Sequence, residues 1–374
     1  MRKKKKSKIK PKKTGSSKKT SQKKTGQRKP KKKTLKAKPA KKITRAKAVV
    51  LKKKPTRKTV LVALGGNAIN RKGEKRDVVA QFRNSRLTAR AVLPLLTHGY
   101  RMILTHGNGP QVGDKLVQVE AARDKIPDTP LGVLVADTEG SMGYMLMQCF
   151  HNVLRREYKK IEPRVVTLLT QVLVDRSDPS LKSYTKPIGP FYDEATAKKM
   201  EQEEGWHIVE DSGRGWRRVV PSPIPIGIVE EDAIKSLLEQ DYLIFAAGGG
   251  GIPVYMEGDG WLEGIDAVID KDRASAVLAD VIGADEFFIL TEVEQVFLDF
   301  NKPTQRALTS VTASEIEQYY KESQFPPGSM GPKIEASVQF LRSKKFPHRK
   351  VLITSPEKLE DALAGKTGTW ILPD

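Results

Sequence analysis

Val60-Leu-Val-Ala-Leu-Gly-Gly-Asn-Ala-Ile-Asn70 runs five apolar residues without a charge and then meets Gly65-Gly66-Asn67. An unbroken apolar run of strand length reads as a strand buried on both faces, as in a parallel sheet. Two glycines at its end let backbone N–H groups approach an anion with no Cβ in the way. Open α/β sheets bind their ligands at these carboxyl ends. The alternative is a tight strand-to-helix turn with no ligand. The ligand reading gains weight because the pattern recurs twice. Arg101–Thr105 leads into His106-Gly-Asn-Gly-Pro-Gln-Val-Gly113, and Leu243–Ala247 leads into Gly248-Gly-Gly-Gly251.

The chain joins two unlike objects. It has 374 residues and a formal net charge of +23. Residues 1–58 hold 29 Lys and Arg with no acid, whereas the rest holds 38 basic against 44 acidic residues. The basic stretch is Lys, Pro, Ser, Thr and Gly without an aromatic. It cannot bury enough surface to offset ordering entropy, and reads as a disordered tail. Lysine runs such as Lys3–Lys6 attract nucleic acid or other polyanions non-specifically. The plainer reading is a solubilising extension with no partner. Organellar targeting stays open because acids are absent, although the tail lacks an amphipathic apolar face. No secretory signal and no membrane span are expected, and the localisation read is cytoplasmic. A single cysteine, Cys149, rules out an internal disulfide and fits a reducing compartment. It lies in an apolar helical pattern, Tyr144–His151, as core filler. The five histidines show no metal-ligand spacing, so no protein metal site and no nucleophilic triad are expected.

From Thr59 the chain alternates apolar runs with longer mixed segments. Helices are expected over Ser85–Leu96, Asp114–Ala122 and Asp137–Tyr158, the last opened by Asp-Thr-Glu at its acid-favouring end. Val165–Thr170 reads as a strand. Residues 178–223 break the rhythm: they are rich in Pro, Gly and aromatics, carry a short helix from Glu194, and read as an inserted lid. The rhythm returns with strands at Leu243–Ala247, Phe287–Leu290, Val351–Thr354 and Thr369–Leu372, and helices from Arg273, Ser314 and the Gly328–Lys333 segment. Repeated β-α alternation predicts a mainly parallel sheet with helices on both faces.

Three glycine-rich strand ends fit a ligand with several anionic groups. No Walker A is present, since the glycine required before Gly365-Lys366-Thr367 is Glu360, and the protein-kinase signatures are missing. Lysines recur near loop-to-helix junctions: Lys186, Lys271 and Lys333. A lysine is a mobile point charge suited to phosphoryl transfer. Any one of them could equally be a solvated surface residue. Lys271 and Lys333 are favoured as functional because each sits where a helix N-terminus meets the predicted crevice.

Together, Leu61–Ala68, Thr105–Gly113, Thr185-Lys-Pro-Ile-Gly-Pro-Phe-Tyr192, Gly213-Arg-Gly-Trp-Arg-Arg-Val-Val-Pro-Ser-Pro223, Gly248–Val254, Val268-Ile-Asp-Lys-Asp272 and Pro327-Gly-Ser-Met-Gly-Pro-Lys333 resemble the carbamate kinases of the amino-acid kinase superfamily. The resemblance runs from Thr59 to the C-terminus, and the basic tail has no counterpart in it. It implies a three-layer αβα open sheet. An acceptor-binding lobe would span about 59–235, including the insert at 178–223, and a nucleotide-binding lobe about 236–374. It also implies reversible transfer between MgATP and carbamate, giving MgADP and carbamoyl phosphate, with ATP made in arginine catabolism by a homodimer. Catalytic roles would fall to Lys186, Lys271, Asp272 and Lys333. Gly65, Gly66, Asn67, Gly107, Asn108 and Gly109 would hold the substrate. Gly249, Gly250, Thr291, Val293, Val296, Lys302, Met330 and Lys333 would hold the nucleotide. No protein ligand for Mg²⁺ can be named, since this ion keeps waters and phosphate oxygens. The alternatives are a superfamily kinase acting on another carboxylate, and a tail-driven nucleic-acid binder with an inactive core.

Overall fold

The structure is a computed structural model. It describes residues 57–374 apart from Lys72, Arg76, Ser212, Arg214, Lys344 and Lys345. Of the stretch read as a disordered tail, only Arg57 and Lys58 fall among them; the rest lies outside the described residues. Arg57 donates to the carbonyls of Gly99 and Tyr100 and pairs with Asp241 at 3.1 Å, and Lys58 pairs with Glu286 at 2.9 Å.

The central sheet has eight strands. In spatial order they are Ser310–Thr312, Thr369–Leu372, Lys350–Thr354, Glu286–Leu290, Thr59–Leu64, Arg101–His106, Leu243–Phe245 and Val165–Thr167. All neighbouring pairs are parallel except Lys350–Thr354 with Thr369–Leu372. Thr59–Leu64 lies at the centre, buried along its whole length.

Successive side chains of a strand point to opposite faces, and the core divides accordingly. Leu61, Ala63, Ile103, Phe287 and Ile289 face one way, against the helices Lys271–Val281 and Met330–Leu341. Val60, Val62, Leu64, Leu104 and Phe288 face the other, against Val78–Val92 and Leu131–Glu157. The result is the expected three-layer arrangement. Each fully buried Leu, Ile, Val or Phe contributes about 1.5–3 kcal/mol, which is why an uncharged strand holds the centre.

Several boundaries differ from the sequence reading. The helix expected from Ser85 begins at Val78, because the Asp77 side chain caps it by accepting from the Ala80 N–H at 2.8 Å. Pro94 then opens a separate short helix, Pro94–Thr97. The helix expected from Asp114 begins at Gly109, so most of the apparent glycine loop is its first turn, with Pro110 preset for a helix start. The long helix begins at Leu131, which places Asp137-Thr138-Glu139 in its interior instead of at its end. The strand expected over 165–170 ends at Thr167. The next strand, Gln171–Val174, turns into a second, four-stranded sheet with Pro225–Ile228, Ile252–Met256 and Leu262–Gly264. Within the stretch 178–223, Tyr184–Tyr192, Trp216–Pro221 and Ile208–Glu210 form a separate three-stranded sheet beside the helix Glu194–Glu204. Among the described residues, no helix is long and apolar enough to cross a membrane.

Candidate active site

Thr59–Leu64, Arg101–His106 and Leu243–Phe245 are adjacent and parallel, with Leu64 beside His106 and Leu104 beside Phe245. The three glycine-bearing turns therefore emerge along one edge of the sheet. There they border a cleft of about 280 Å³, lined among others by Gly66, Gly107, Asn108, Gly109 and Gly249.

The glycines do different jobs. The Gly65 N–H is already given to the Leu290 carbonyl at 2.8 Å, and a Cβ there would lie 2.6 Å from that oxygen. Gly65 thus lets two strands lie close, and its amide does not reach the cleft. Gly66 is the exposed one on the cleft wall. Asn67 lies in the single turn Gly66–Ala68. Gly107 faces the Lys271 side chain, whose Cδ would be 3.9 Å from an added Cβ. Gly249 and Gly250 hold φ of +71° and +100°, where a side chain is strained. Gly249 lines the cleft against Asn108, whereas Gly250 packs behind it on the Ile269 carbonyl.

Opposite the glycines stands a lattice of lysines and aspartates. Asp270 caps the helix Lys271–Val281, its Oδ1 accepting from the Asp272 N–H at 2.9 Å, while its Oδ2 pairs with Lys186 from the three-stranded sheet. Asp272 Oδ1 takes Lys271 at 2.5 Å and its Oδ2 takes Lys333 at 3.1 Å. Lys333 also donates to the Ser329 carbonyl at 3.2 Å. All three predicted lysines and Asp272 thus converge on one cleft.

The electrostatics follow from burial. Burial pushes both aspartate carboxyls up, but the lysine charges outweigh it and hold them below the usual range; Lys186 leads for Asp270 and Lys271 for Asp272. For Lys271 burial wins, and its ammonium is weakened despite Asp272. For Lys333 Asp272 outweighs burial and the ammonium is strengthened. A buried ammonium of this kind is relieved by an incoming anion.

Beside the cleft, sharing Ser329 with it, is an apolar pocket of about 100 Å³ lined by Val293, Phe297, Phe300, Phe325 and Met330. Val293 and Met330, two of the residues expected at the nucleotide, line this pocket. Three other expected nucleotide residues are not on its walls. Val296 is fully buried in the core with its N–H on the Thr369 hydroxyl. Thr291 follows the strand Glu286–Leu290, and its N–H donates to the Thr354 carbonyl at 2.8 Å. Lys302 pairs with Asp299 at 3.0 Å on an adjoining open groove.

Other residues were not singled out from sequence. Asp270 lies within the quoted Val268–Asp272 motif without a role assigned to it, and its position ahead of a helix was the available signal. Arg217, within the quoted Gly213–Pro223 motif, lines the cleft and pairs with Asp211 at 3.1 Å. Asn70 Oδ1 and Gln111 Nε2 lie on the cleft residues without a partner among the described residues. Glu139 is wholly buried: it accepts from the N–H groups of Gly248 at 2.9 Å and Thr170 at 3.2 Å. Burial pushes its carboxyl up to about 8, against those two bonds. His106, at the end of its strand, is held by burial down to about 4. Asn108 Nδ2 donates to Thr138 Oγ1 at 3.0 Å. Adjacent residues of one helix, Thr138 and Glu139, thus tie down two of the three glycine turns.

Among the described residues no cluster of three His, Cys, Asp or Glu could hold a metal. Both cleft aspartates already accept from lysines. An ion carried in by phosphates would meet Asp270 and Asp272 already paired with lysines.

Residues 58–355 match the amino acid kinase family. The chain is 45% identical over 318 residues to the carbamate kinase of Pyrococcus furiosus, covering 84% of this chain and 99% of the relative. It is similar to the structure of a Giardia lamblia carbamate kinase bound to citric acid, with a TM-score of 0.79, 40% identity, and coverage of 85% of this chain and 99% of the other. A second structure of the Giardia lamblia carbamate kinase, bound to AMP-PNP, matches at a TM-score of 0.75 and 42% identity, with the same coverage.

Proposed function

This chain belongs to the amino acid kinase family and within it to the carbamate kinases, and we propose from that premise how its cleft works. The reaction is reversible transfer of the γ-phosphoryl group of ATP to carbamate, giving ADP and carbamoyl phosphate. In the family's usual setting, arginine catabolism, it runs toward ATP.

Carbamate is already an oxyanion at neutral pH, so its attack on phosphorus needs no general base. It needs alignment and charge neutralisation. The observation that carries the reading is the convergence of Lys186, Lys271 and Lys333 on the edge where three glycine turns emerge. Lys271 contacts the transferring phosphoryl oxygens, backed by Asp272. Lys333, at the start of its helix, meets the nucleotide phosphates. Lys186 leaves Asp270 to neutralise the acceptor side. Gly66, Asn67, Gly107, Asn108 and Gly109 hold carbamate and the phosphoryl group, and Gly249 lies against the phosphates. The pocket of Val293, Phe297 and Met330 takes the adenine. A bulky, flat, weakly polar ring fits an apolar slot continuous with a cationic cleft.

A nucleotide kinase of this family works with a divalent metal, and we assign Mg²⁺. Bound to the phosphates, it would neutralise their charge, and Asp270 and Asp272 are the carboxylates within the cleft that could reach its water shell. A homodimer in the cytoplasm is the assembly and place we assign by family. Non-specific polyanion binding is assigned to the basic residues before Thr56.

An acceptor panel tests the reading. The full chain, given ATP with carbamate, glutamate or N-acetylglutamate, is expected to form ADP with carbamate alone. Preference for either amino acid would replace the assignment with another acceptor.

A further inference from the structure

We propose that Asn108 selects the acceptor by its nitrogen and that Thr138 orients Asn108 to do so; this rests on the carbamate reading above. Asn108 is 2% exposed and lies in the cleft wall between Gly107 and Gly109. Its amide lies flat on Gly249, where any Cβ would collide with it. Nδ2 donates to Thr138 Oγ1 at 3.0 Å, and the Thr138 hydroxyl donates to the Val135 carbonyl at 2.9 Å.

A hydroxyl has one proton. With it directed to Val135, the Thr138 oxygen toward Asn108 can only accept. A flipped amide would set two oxygens against each other with no proton between them. The orientation is therefore fixed by chemistry, and Asn108 Oδ1 points away from Thr138. It has no hydrogen-bond partner among the described residues. Unlike Asn84 Oδ1, it is not sealed inside the protein. The cleft thus presents a fixed neutral acceptor among lysine ammoniums and glycine amides.

Carbamate and acetate share a planar carboxylate and differ at one group, –NH₂ against –CH₃. Lysines bind either carboxylate alike. Asn108 Oδ1 tells them apart: the amino group donates to it, whereas a methyl group desolvates it and returns nothing. A site built around a hydrogen bond rejects the analogue that lacks the donor. Thr138 is the positioning residue and Asn108 the contact.

The experiment compares ATP formation from ADP with carbamoyl phosphate and with acetyl phosphate, as kcat/KM, in the full chain and in Thr138→Val and Thr138→Ser. The unaltered chain is expected to favour carbamoyl phosphate by at least about tenfold. Thr138→Val lowers that ratio about tenfold, and Thr138→Ser, which keeps the hydroxyl, restores it. A purely structural role would lower both rates and leave the ratio intact, which would overturn the proposal. Equal use of both phosphates by the unaltered chain would also overturn it, and this arm decides even where Thr138→Val does not fold. No ATP from either phosphate would instead sink the carbamate reading itself.

Discussion

Lys271 and Lys186 reach the same cleft from opposite kinds of scaffold. Lys271 opens a helix whose next residues pack into the main core, and its side chain is 11% exposed. Lys186 lies on the small three-stranded sheet, and its side chain is 25% exposed. That sheet meets the body through the Lys186–Asp270 and Arg218–Glu120 pairs, the close backbone approach of Gly113 to Gly189, and a small apolar cluster in which Ile188 and Val220 pack with Val112, Val135 and Val268. One positive charge is thus built into the sheet edge, and the other is delivered by a module seated on a much smaller apolar cluster. A fixed charge can be preorganised for the transition state. A delivered charge can leave Asp270 when an anion arrives.

The comparison sets the order of expected effects. Lys271→Ala removes the fixed charge and is expected to lower kcat about a thousandfold with nucleotide affinity retained, read by steady-state kinetics alongside nucleotide titration. A loss of only a few-fold would erase the distinction. Lys186→Ala removes the delivered charge. About a hundredfold in kcat is expected, with a rise in KM for carbamoyl phosphate and little change for ADP. An equal rise in both KM values would mean that Lys186 serves the nucleotide. Gly113→Ala removes no charged group but drives a Cβ into the Gly189 backbone. Displacing Lys186 in this way is expected to cost about tenfold in kcat, because misplacement by an ångström is enough. An unchanged kcat would show that the small sheet tolerates displacement.

The smallest effect concerns stability. The Glu139 carboxyl is raised by burial from 4.5 to about 8. The folded chain therefore holds a proton that the unfolded chain has lost. The contribution is fully present below pH 4.5 and falls as pH rises toward 8. His106 is lowered by burial from 6.5 to about 4. Its contribution has the opposite slope, lost as pH falls from 6.5 toward 4, so between 6.5 and 8 Glu139 acts without it. Glu139→Gln is expected to flatten the fall in Tm over that interval, a change on the order of 2–4 °C by thermal unfolding. An unchanged slope would show that Glu139 stays ionised in the folded chain.

The main sheet was legible in the sequence because its strands are uncharged and end in glycine, two signals that survive without an alignment. Lys271, Asp272 and Lys333 were legible because they stand at helix starts beside those glycines. The second sheet was not, since strands such as Leu262–Gly264 are three residues long and show no periodicity. The start at Gly109 was hidden because Gly and Pro in a first turn look like loop. Glu139 was read as a charge near a helix end; only the fold shows that the helix begins six residues before the expected start, at Leu131, and that the Glu139 carboxyl serves two buried N–H groups. Val296 was expected at the nucleotide from the family resemblance alone, and that resemblance carries no sign of which residues of the segment face the core, where Val296 lies.

The most direct measurement is ATP formation by the intact full-length chain from ADP, Mg²⁺ and carbamoyl phosphate, with Lys271→Ala run beside it. Turnover that the substitution abolishes is the predicted result. A folded chain that binds ADP yet makes no ATP, or one whose turnover survives the loss of Lys271, would contradict the account.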